Sequence, residues 1–166
     1  MKPLWMVRSN QPLELEPSSP PEGLVLRNPE WADFDRLVDL MEDAFLDMPP
    51  HYHRTSHQSY IGGCLRRKVY VPECSWVLAE ADQLVGTALV GLDLFQWPYP
   101  YVQLLAVRRE RQACGLGRLL LLATIQSVSQ RYPGSQLAAH VMPTNRKSRR
   151  TFEGLDFRKM PAHLAP

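Results

Sequence analysis

The sequence predicts a single mixed α/β domain whose sheet is mostly antiparallel and includes one parallel strand pair. Apolar residues recur at helical spacing over residues 31–45, which indicates an amphipathic helix. Residues 75–80 and 84–90 read as two short strands around a three-residue turn, the pattern of an antiparallel hairpin. Residues 101–160 then alternate strand, helix, strand, helix and strand. A strand–helix–strand unit favours parallel pairing, so we place the parallel pair in this later half.

Composition limits the partners and the compartment that we expect. The 166 residues carry a formal net charge of +2, which is too small to favour nucleic acid or a membrane surface. The sequence shows neither a secretion signal nor an apolar run near the roughly 20 residues of a membrane span. Its three cysteines, Cys64, Cys74 and Cys114, lack the CxxC spacing of a zinc site. We therefore expect a soluble, cytoplasmic protein with free thiols and no metal.

Prolines divide the chain into a short extension and a main domain. Residues 1–22 are rich in proline, and residues 17–21 must break any element that precedes them. Residues 4–7 could add an edge strand to the sheet. We therefore predict an N-terminal extension over residues 1–22 and one domain over residues 23–166.

The predicted elements of the main domain follow one another with short connections. Asn28 and Pro29 supply a cap and a first turn for the helix at residues 31–45, whose acidic residues form a solvated face. The other elements, in chain order, are a strand at 23–27, a weaker helix at 55–67, strands at 75–80, 84–90 and 101–107, a largely buried helix at 116–130, a strand at 136–141, a basic helix at 145–155 and a last strand at 156–160.

A glycine-containing turn at residues 112–118 carries the strongest chemical signal. It joins a strand directly to a helix, and the first turn of a helix offers unpaired N–H groups at the positive end of the helix dipole. Gly115 and Gly117 let the backbone approach an anion closely, and Arg111 and Arg118 add positive charge. A phosphate group is therefore the expected ligand of this turn.

Two well-known phosphate-binding loops do not fit this turn. A Walker loop needs Lys followed by Ser or Thr after its second glycine, but Arg118 and Leu119 follow Gly117. A dinucleotide-binding loop needs a third glycine where Leu120 stands. A GxG pair before a helix is equally typical of a tight turn that enters a helix and binds no ligand. The surrounding residues are therefore needed to distinguish the two interpretations.

Two spaced motifs resemble those of the GNAT superfamily of N-acetyltransferases. Gln112, Gly115 and Gly117 match its pyrophosphate-binding motif, Q/R-x-x-G-x-G/A, after a strand and an acidic turn. A second motif opens a helix with Asn145 and closes it with an aromatic-Glu-x-Leu run. The order of elements over residues 23–160 also agrees with the family. The resemblance implies a mixed, mostly antiparallel sheet with a splayed parallel strand pair, flanked by helices.

The resemblance also implies acetyl-CoA as co-substrate and an amine as acceptor. Backbone groups of Leu105 and Val107 would pair with the pantetheine arm in the gap between the splayed strands, and the side chain of Asn145 would reach the same arm. Amides of the turn would hold the pyrophosphate. The amine would attack the thioester directly, with the oxyanion held by a backbone N–H near Leu105. The expected cofactor-binding residues are Leu105, Ala106, Val107, Gln112, Ala113, Cys114, Gly115, Leu116, Gly117, Arg118 and Asn145.

The sequence departs from the family pattern in both motifs. Phe152 stands where the family often has the Tyr that protonates the leaving thiolate. Asp156 replaces the usual Gly before the final Phe, and we expect it to adopt the left-handed backbone that ends the helix. Ala113 and Cys114 stand where a glycine and a basic residue are common. We interpret Cys114 as passive, because its amide rather than its thiol should face the phosphate.

No motif specifies the catalytic base. A typical amine has a pKa near about 10, so a base or a water chain must remove a proton from it. His53, His57 and His140 are the candidates; a plain polar loop is the favoured interpretation of His53 and His57, and a hydrogen-bonded core histidine is the alternative for His140. His53 and His57 are four residues apart, but no carboxylate or cysteine completes a metal site.

The acceptor and the oligomeric state stay open. Trp97, Tyr99 and Tyr101 either line an acceptor pocket or pack a sheet edge. Three functions remain: an N-acetyltransferase acting on a small-molecule or peptide amine, a catalytically silent acyl-CoA-binding module, and a structural or partner-binding domain that keeps only the fold. The retained motif residues argue against the third. A homodimer is neither required nor excluded.

Overall fold

The computed structural model describes residues 4–9, 19–47, 53–66, 69–92 and 99–161. Within these residues, seven strands form one sheet, which four α-helices flank. The strands are β1 (Leu4–Ser9), β2 (Val25–Arg27), β3 (Trp76–Glu80), β4 (Gln83–Gly91), β5 (Tyr101–Val107), β6 (Gln136–Val141) and β7 (Arg158–Lys159). The helices are α1 (Phe34–Ala44), α2 (Arg54–Arg66), α3 (Leu116–Arg131) and α4 (Arg146–Glu153). None of these helices combines the length and apolar character needed to cross a membrane.

The sheet is mostly antiparallel, as the sequence predicts. Its strand order is β2-β3-β4-β5-β6-β1-β7, and each neighbouring pair except β5 and β6 runs antiparallel. The β3–β4 hairpin and the parallel pair on either side of α3 confirm the two patterns that predict the fold class. The hairpin turn is shorter than expected, because β4 already begins at Gln83.

The parallel strands β5 and β6 separate soon after they meet. Tyr101 pairs with Ala138 and Val102 pairs with Ala139, and these are the only paired positions between the two strands in the described chain. On its other side, β5 stays paired with β4 as far as Val107. Residues 103–107 of β5 therefore border an open gap.

A β-bulge at Gln103 marks the point where the two strands part. The β4–β5 register shifts by one residue between Leu89 and Val90, so Gln103 opposes no residue of β4. Its side-chain Nε2 donates to the hydroxyl of Tyr101 at 2.8 Å. A Cβ at Gly91 would collide with this amide, so the glycine makes room for the bulge. A bulge bends its strand, which directs the end of β5 away from β6.

The N-terminal strand lies inside the sheet. β1 pairs with β6 along its whole length and with β7 through Met6 and Val7. The expectation of an edge strand at residues 4–7 is therefore wrong, because both sides of β1 are paired. The side chain of Met6 is buried in the core cluster that also contains Ala139 and Phe157. Contacts with residues far along the chain thus fix the position of β1.

The helices cover the two faces of the sheet in pairs. α1 and α2 share a buried apolar cluster with Leu104 and Ala106 of β5. α3 and α4 share another with Val102, to which Phe152 of α4 contributes. The bulge at Gln103 interrupts the regular alternation of side chains and places Val102 on the face opposite to Leu104 and Ala106, so β5 is packed on both sides while its edge borders the gap.

The first helix begins later than its apolar pattern predicts. Trp31–Asp33 form a 3₁₀ turn, and α1 begins at Phe34. Trp31, expected on the apolar face, is 55% exposed, whereas Asp33 is buried. Asp33 accepts two hydrogen bonds from Arg27, at 2.7 and 2.8 Å, which lower the pKa of its carboxyl. This ion pair fastens the start of α1 to β2.

Candidate active site

The turn between β5 and α3 is shaped by two residues with left-handed backbone. Ala113 has a φ of 64° and Gly115 a φ of 81°. Gly115 is the N-cap of α3, which begins at Leu116. A left-handed conformation costs a residue with a Cβ roughly 1–2 kcal/mol, so Ala113 is strained at a position where the resembled motif commonly has glycine.

The first turn of α3 presents amide donors to the space in front of it. The first N–H groups of an α-helix have no intrahelical partner, and no side chain caps this helix. The N–H of Leu119 donates to the carbonyl of Gly115 at 3.0 Å, so the N–H groups of residues 116–118 point out of the helix end. Together with the positive end of the helix dipole they form an anion site.

A cleft of about 1380 Å³ joins this turn to the gap beside β5. Its walls come from the end of α1, the end of β5, the turn and the start of both α3 and α4. It is lined by ten of the eleven residues expected to bind the cofactor: Leu105, Ala106, Val107, Gln112, Ala113, Gly115, Leu116, Gly117, Arg118 and Asn145. The eleventh, Cys114, is exposed outside this lining, with its sulfur 3.6 Å from the carbonyl oxygen of Gln112.

The backbone of Leu105 and Val107 faces the gap. The N–H of Arg108 donates to the carbonyl of Val85 in β4 at 2.9 Å. Backbone polar groups alternate in direction along a strand, so those of Ala106 point to β4 and those of Leu105 and Val107 point away from it. The carbonyl of Val107 agrees with this direction, because it accepts a hydrogen bond from the Gln112 side chain at 3.1 Å.

The side chain of Gln112 joins elements on both sides of the cleft. Its Nε2 donates to Val107, and its Oε1 accepts a hydrogen bond from Nζ of Lys147 on α4 at 2.9 Å. The same Nε2 lies 3.5 Å from the carbonyl oxygen of Ala44 at the end of α1. The motif glutamine therefore holds the cleft walls together, and its backbone N–H is engaged as well, with the carbonyl of Arg109 at 3.2 Å.

Arg111 and Arg118 have partners within the protein. Arg111 forms an ion pair with Glu80 of β3, which raises the pKa of its guanidinium. Nη1 of Arg118 donates to the carbonyl oxygen of Gly154 at 2.9 Å, which ties the start of α3 to the end of α4. Both line the cleft, but these contacts also hold neighbouring elements together, a structural role that the sequence does not predict.

Asn145 caps α4. Its side-chain oxygen accepts the N–H of Ser148 at 3.0 Å, the contact that defines an N-cap. Asn145 also lines the cleft, so capping holds this side chain beside the gap. The structure thus brings the second motif opposite the first.

The closing part of the second motif lies in the core. Phe152 is buried, and its ring meets that of Phe157 edge to face with centroids 4.9 Å apart. Asp156 has a φ of 63°, which confirms the expectation that aspartate adopts the left-handed backbone after α4. The aromatic position of the motif is therefore occupied by a purely apolar side chain.

The three candidate histidines lie in different surroundings. His53 is exposed just before α2, and His57 is buried within that helix. His140 follows Ala139, the last residue of β6 that pairs with β5, and so stands where the gap begins. Its side chain is exposed, its imidazole stacks on the indole of Trp5 with ring centroids 4.6 Å apart, and partial desolvation lowers the pKa of His140. Among the described residues, no group of three His, Cys, Asp or Glu side chains is arranged to hold a metal.

Two tyrosines adjoin the bulge at the opening of the gap. The hydroxyl of Tyr60 in α2 donates to the carbonyl oxygen of Gln103 at 2.6 Å, and Tyr101 accepts from the side chain of the same residue. Tyr99 is partly buried, and Trp97 lies outside the described residues. Sequence reasoning missed Trp5 and Tyr60, because no local motif connects either one to residues 101–140.

Comparison with known proteins agrees with these motifs. The model of the acetyltransferase (GNAT) family matches residues 34–157, which is more than half of the chain. Comparison with curated protein sequences gave no match. Among solved structures, a GCN5-related N-acetyltransferase from Sphaerobacter thermophilus is 19% identical with a TM-score of 0.69, over 96% of this chain and 48% of that one. This chain therefore spans about half the length of the Sphaerobacter protein.

Two other solved structures share the fold at similar distance. The ribosomal-protein-S18-alanine N-acetyltransferase from Escherichia coli is 18% identical over 83% of this chain and 79% of that one, with a TM-score of 0.64. The aminoglycoside N-acetyltransferase AAC(6')-Iy, in complex with CoA, is 14% identical over 86% of this chain and 94% of that one, also with a TM-score of 0.64. The family match, the fold and the two motifs agree, and the chain belongs to the acetyltransferase (GNAT) family.

Proposed function

We propose that this protein is an N-acetyltransferase that moves an acetyl group from acetyl-CoA to a primary amine by direct attack. The observation that supports this most strongly is a strand gap and a helix N-terminus that share one cleft. Acetyl-CoA has a diphosphate between a nucleotide and a long arm with two amides. An anion site continuous with an unpaired strand edge suits such a molecule.

The proposed cofactor site uses mainly backbone groups. The arm would lie along β5 and hydrogen-bond to Leu105 and Val107, as an added strand does. The amides of residues 113–118 would hold the diphosphate at the end of α3. Asn145, fixed by its capping bond to Ser148, would contact the arm from the other wall. Cys114 would contribute its amide and not its thiol.

His140 is the proton acceptor in this proposal. It directly follows the last β6 residue that pairs with β5, beside the start of the gap where the acetyl end of the arm would lie, whereas His57 belongs to α2 and His53 precedes that helix. Partial desolvation lowers the pKa of His140, and its ring stacks on Trp5; the lowered pKa favours the neutral imidazole, which can accept a proton.

The proposed reaction has one bond-forming and one bond-breaking event. The amine nitrogen attacks the thioester carbon, the oxyanion is held by the N–H of Leu105, and the C–S bond then breaks. The proton lost by the amine goes to His140, and the departing CoA thiolate takes a proton from water. A thiol of pKa about 8–9 can leave without an acid, so the phenyl ring of Phe152 does not prevent turnover.

The burial of Phe152 also favours a second candidate, a catalytically silent acyl-CoA-binding module. Its ring packs against Phe157 in the core and has no group that can donate a proton. Such a module would bind acetyl-CoA in the same cleft and release no thiol. Only an activity measurement separates the two candidates.

The experiment is a thiol-release screen with acetyl-CoA and panels of amines. The panels contain small amines, polyamines, aminoglycosides and peptides with free N-termini, and mass spectrometry identifies each acetylated product. The enzyme proposal requires thiol release that depends on both protein and amine. Tight acetyl-CoA binding without release on any panel would select the silent module, and no binding would reject both candidates.

A further inference from the structure

Helix α4 carries a concentration of positive charge that the proposed reaction does not use. Four of its eight residues are Arg or Lys, and its first turn contains no acidic residue. Six cations line the cleft, and three of them belong to this helix: Arg109, Arg111, Arg118, Arg146, Lys147 and Arg150.

Four of these six cations already have partners. Arg109 pairs with Asp47 at 2.9 Å and Arg111 pairs with Glu80. Arg118 and Lys147 donate to Gly154 and Gln112, as described above. By contrast, the guanidinium groups of Arg146 and Arg150 make no ion pair or hydrogen bond within the part of the chain that the structure describes. Both side chains are exposed and both line the cleft.

The placement of Arg146 and Arg150 is unfavourable in the absence of an anion. They are four residues apart on one helix, so they are neighbours on its surface and repel each other. Arg146 also lies in the first turn, where the helix dipole opposes a positive charge. A bound anion would reverse both effects, because two guanidinium groups can each donate paired hydrogen bonds to phosphate oxygens.

The two guanidinium groups and the amide donors of the turn belong to different helices that line the same cleft. α4 packs directly beside the start of α3, where Arg118 bonds to Gly154 and the position of a Cβ on Gly117 would lie 3.9 Å from Cγ2 of Thr151. The amide donors belong to α3 and the two free guanidinium groups belong to α4. A ligand whose diphosphate meets the α3 amides can present a further phosphate group to α4, and CoA has one on the 3′ carbon of its ribose.

We propose that Arg146 and Arg150 bind the ribose 3′-phosphate of CoA and make the cleft selective for CoA over its dephosphorylated form. This inference rests on the proposed function, since it assigns part of the same ligand. The proposed contact requires a phosphate monoester at the nucleotide end of the ligand. Exposed Arg side chains outside the cleft would not distinguish CoA from its dephosphorylated form.

The test compares acetyl-CoA with acetyl-dephospho-CoA, which differ only in the 3′-phosphate. Calorimetry on the full chain should show acetyl-CoA binding at least about tenfold more tightly, the range expected for hydrogen bonds between charged groups. Arg146→Gln and Arg150→Gln should each weaken acetyl-CoA binding and leave acetyl-dephospho-CoA binding unchanged. The second affinity also shows that the variants remain folded.

Arg149→Gln is the matched control, because Arg149 lies on the same helix, pairs with Glu153 at 3.1 Å and does not line the cleft. It should leave both affinities unchanged. Equal affinity of the natural chain for the two ligands would overturn the inference while leaving the proposed function intact, as would an equal loss of both ligands in the Arg146 and Arg150 variants. Failure of the natural chain to bind either ligand would instead reject the proposed function.

Discussion

The indole of Trp5 stacks on the imidazole of His140, with ring centroids 4.6 Å apart and an angle of 24° between the planes. The two residues also face each other in the β1–β6 ladder. Strand β1 thereby places a side chain from the start of the chain against the residue that opens the gap. The N-terminal strand is thus a structural neighbour of the proposed catalytic centre.

Trp5→Ala should reduce turnover with an amine by roughly tenfold, because a loosened imidazole is less well aligned with the attacking nitrogen. Its KM for acetyl-CoA should change little, since Trp5 does not line the cleft. Trp5→Phe keeps a stacking ring and should restore most of the turnover. Steady-state kinetics of the three forms would show this split. An equal loss in Phe and Ala variants, or a matching rise in KM, would indicate that Trp5 only stabilises the sheet.

His140→Gln should lower turnover by about 10²-fold or more at pH 7 without weakening acetyl-CoA binding, because it removes the proton acceptor. His53→Gln is the control and should have no effect. Partial desolvation lowers the pKa of His140, so activity should rise as pH increases through this lowered pKa and then level off. In Trp5→Ala the imidazole is more hydrated, so its pKa should rise. The increase in activity with pH should then occur at higher pH. Kinetics from pH 5 to pH 8 would test both statements, and an unchanged His140→Gln enzyme would exclude this residue as the base.

The sequence predicts the features that depend on neighbouring residues and misses those that depend on distant ones. The turn at residues 112–118 is local, because its glycines, its strand and its helix are adjacent in the chain. The position of β1 in the sheet depends on pairing with β6 and β7, more than a hundred residues away. No pattern in residues 4–9 predicts this position. The stacking of Trp5 on His140 is hidden for the same reason.

The late start of α1 has a similar origin. The apolar periodicity of residues 31–45 places Trp31 on the buried face. The ion pair between Arg27 and the buried Asp33 instead sets where the helix begins. Such an ion pair joins residues of a strand and a turn, and periodicity carries no information about it. The structural roles of Arg111 and Arg118 were missed because their partners, Glu80 and Gly154, lie on other elements.

Arg27→Met should destabilise the fold by about 2 kcal/mol at pH 7, because it leaves the buried carboxylate of Asp33 without its main partner. This cost is smaller than that expected for a fully buried ion pair, because the Arg27 side chain is 31% exposed. The folded-state pKa of Asp33 is lowered, so its stabilisation is complete above its unfolded pKa of about 3.9 and is lost as pH falls through the folded value. Urea unfolding at pH 7 and pH 3 would measure this. The free energies of unfolding of the natural chain and of Arg27→Met should be closer to each other at pH 3 than at pH 7. Arg36→Met, whose nitrogen lies 3.7 Å from the same carboxylate, should cost much less; equal costs would contradict this assignment.

Ala113→Gly should stabilise the fold by roughly 0.5–1 kcal/mol, because glycine relieves the left-handed strain at a φ of 64° and loses part of the gain to its greater unfolded-state freedom. Ala81→Gly, at a φ of 49° in the β3–β4 turn, is a matched control outside the cleft and should give a similar gain. Thermal unfolding would measure both. Destabilisation at position 113 alone would mean that the methyl group makes a favourable contact in the turn.

The proposed function depends most directly on acetyl-CoA binding at the turn before α3. Gly115 and Gly134 both have positive φ, 81° and 75°, and both have open space around the position of an added Cβ, but only Gly115 lines the cleft. Valine at either position carries a comparable backbone cost, so the pair separates ligand binding from strain. Calorimetric titration of acetyl-CoA should give the same affinity for the natural chain and Gly134→Val, and at least about tenfold weaker binding for Gly115→Val. Equal affinities in all three chains, or no binding to the natural chain, would contradict the account.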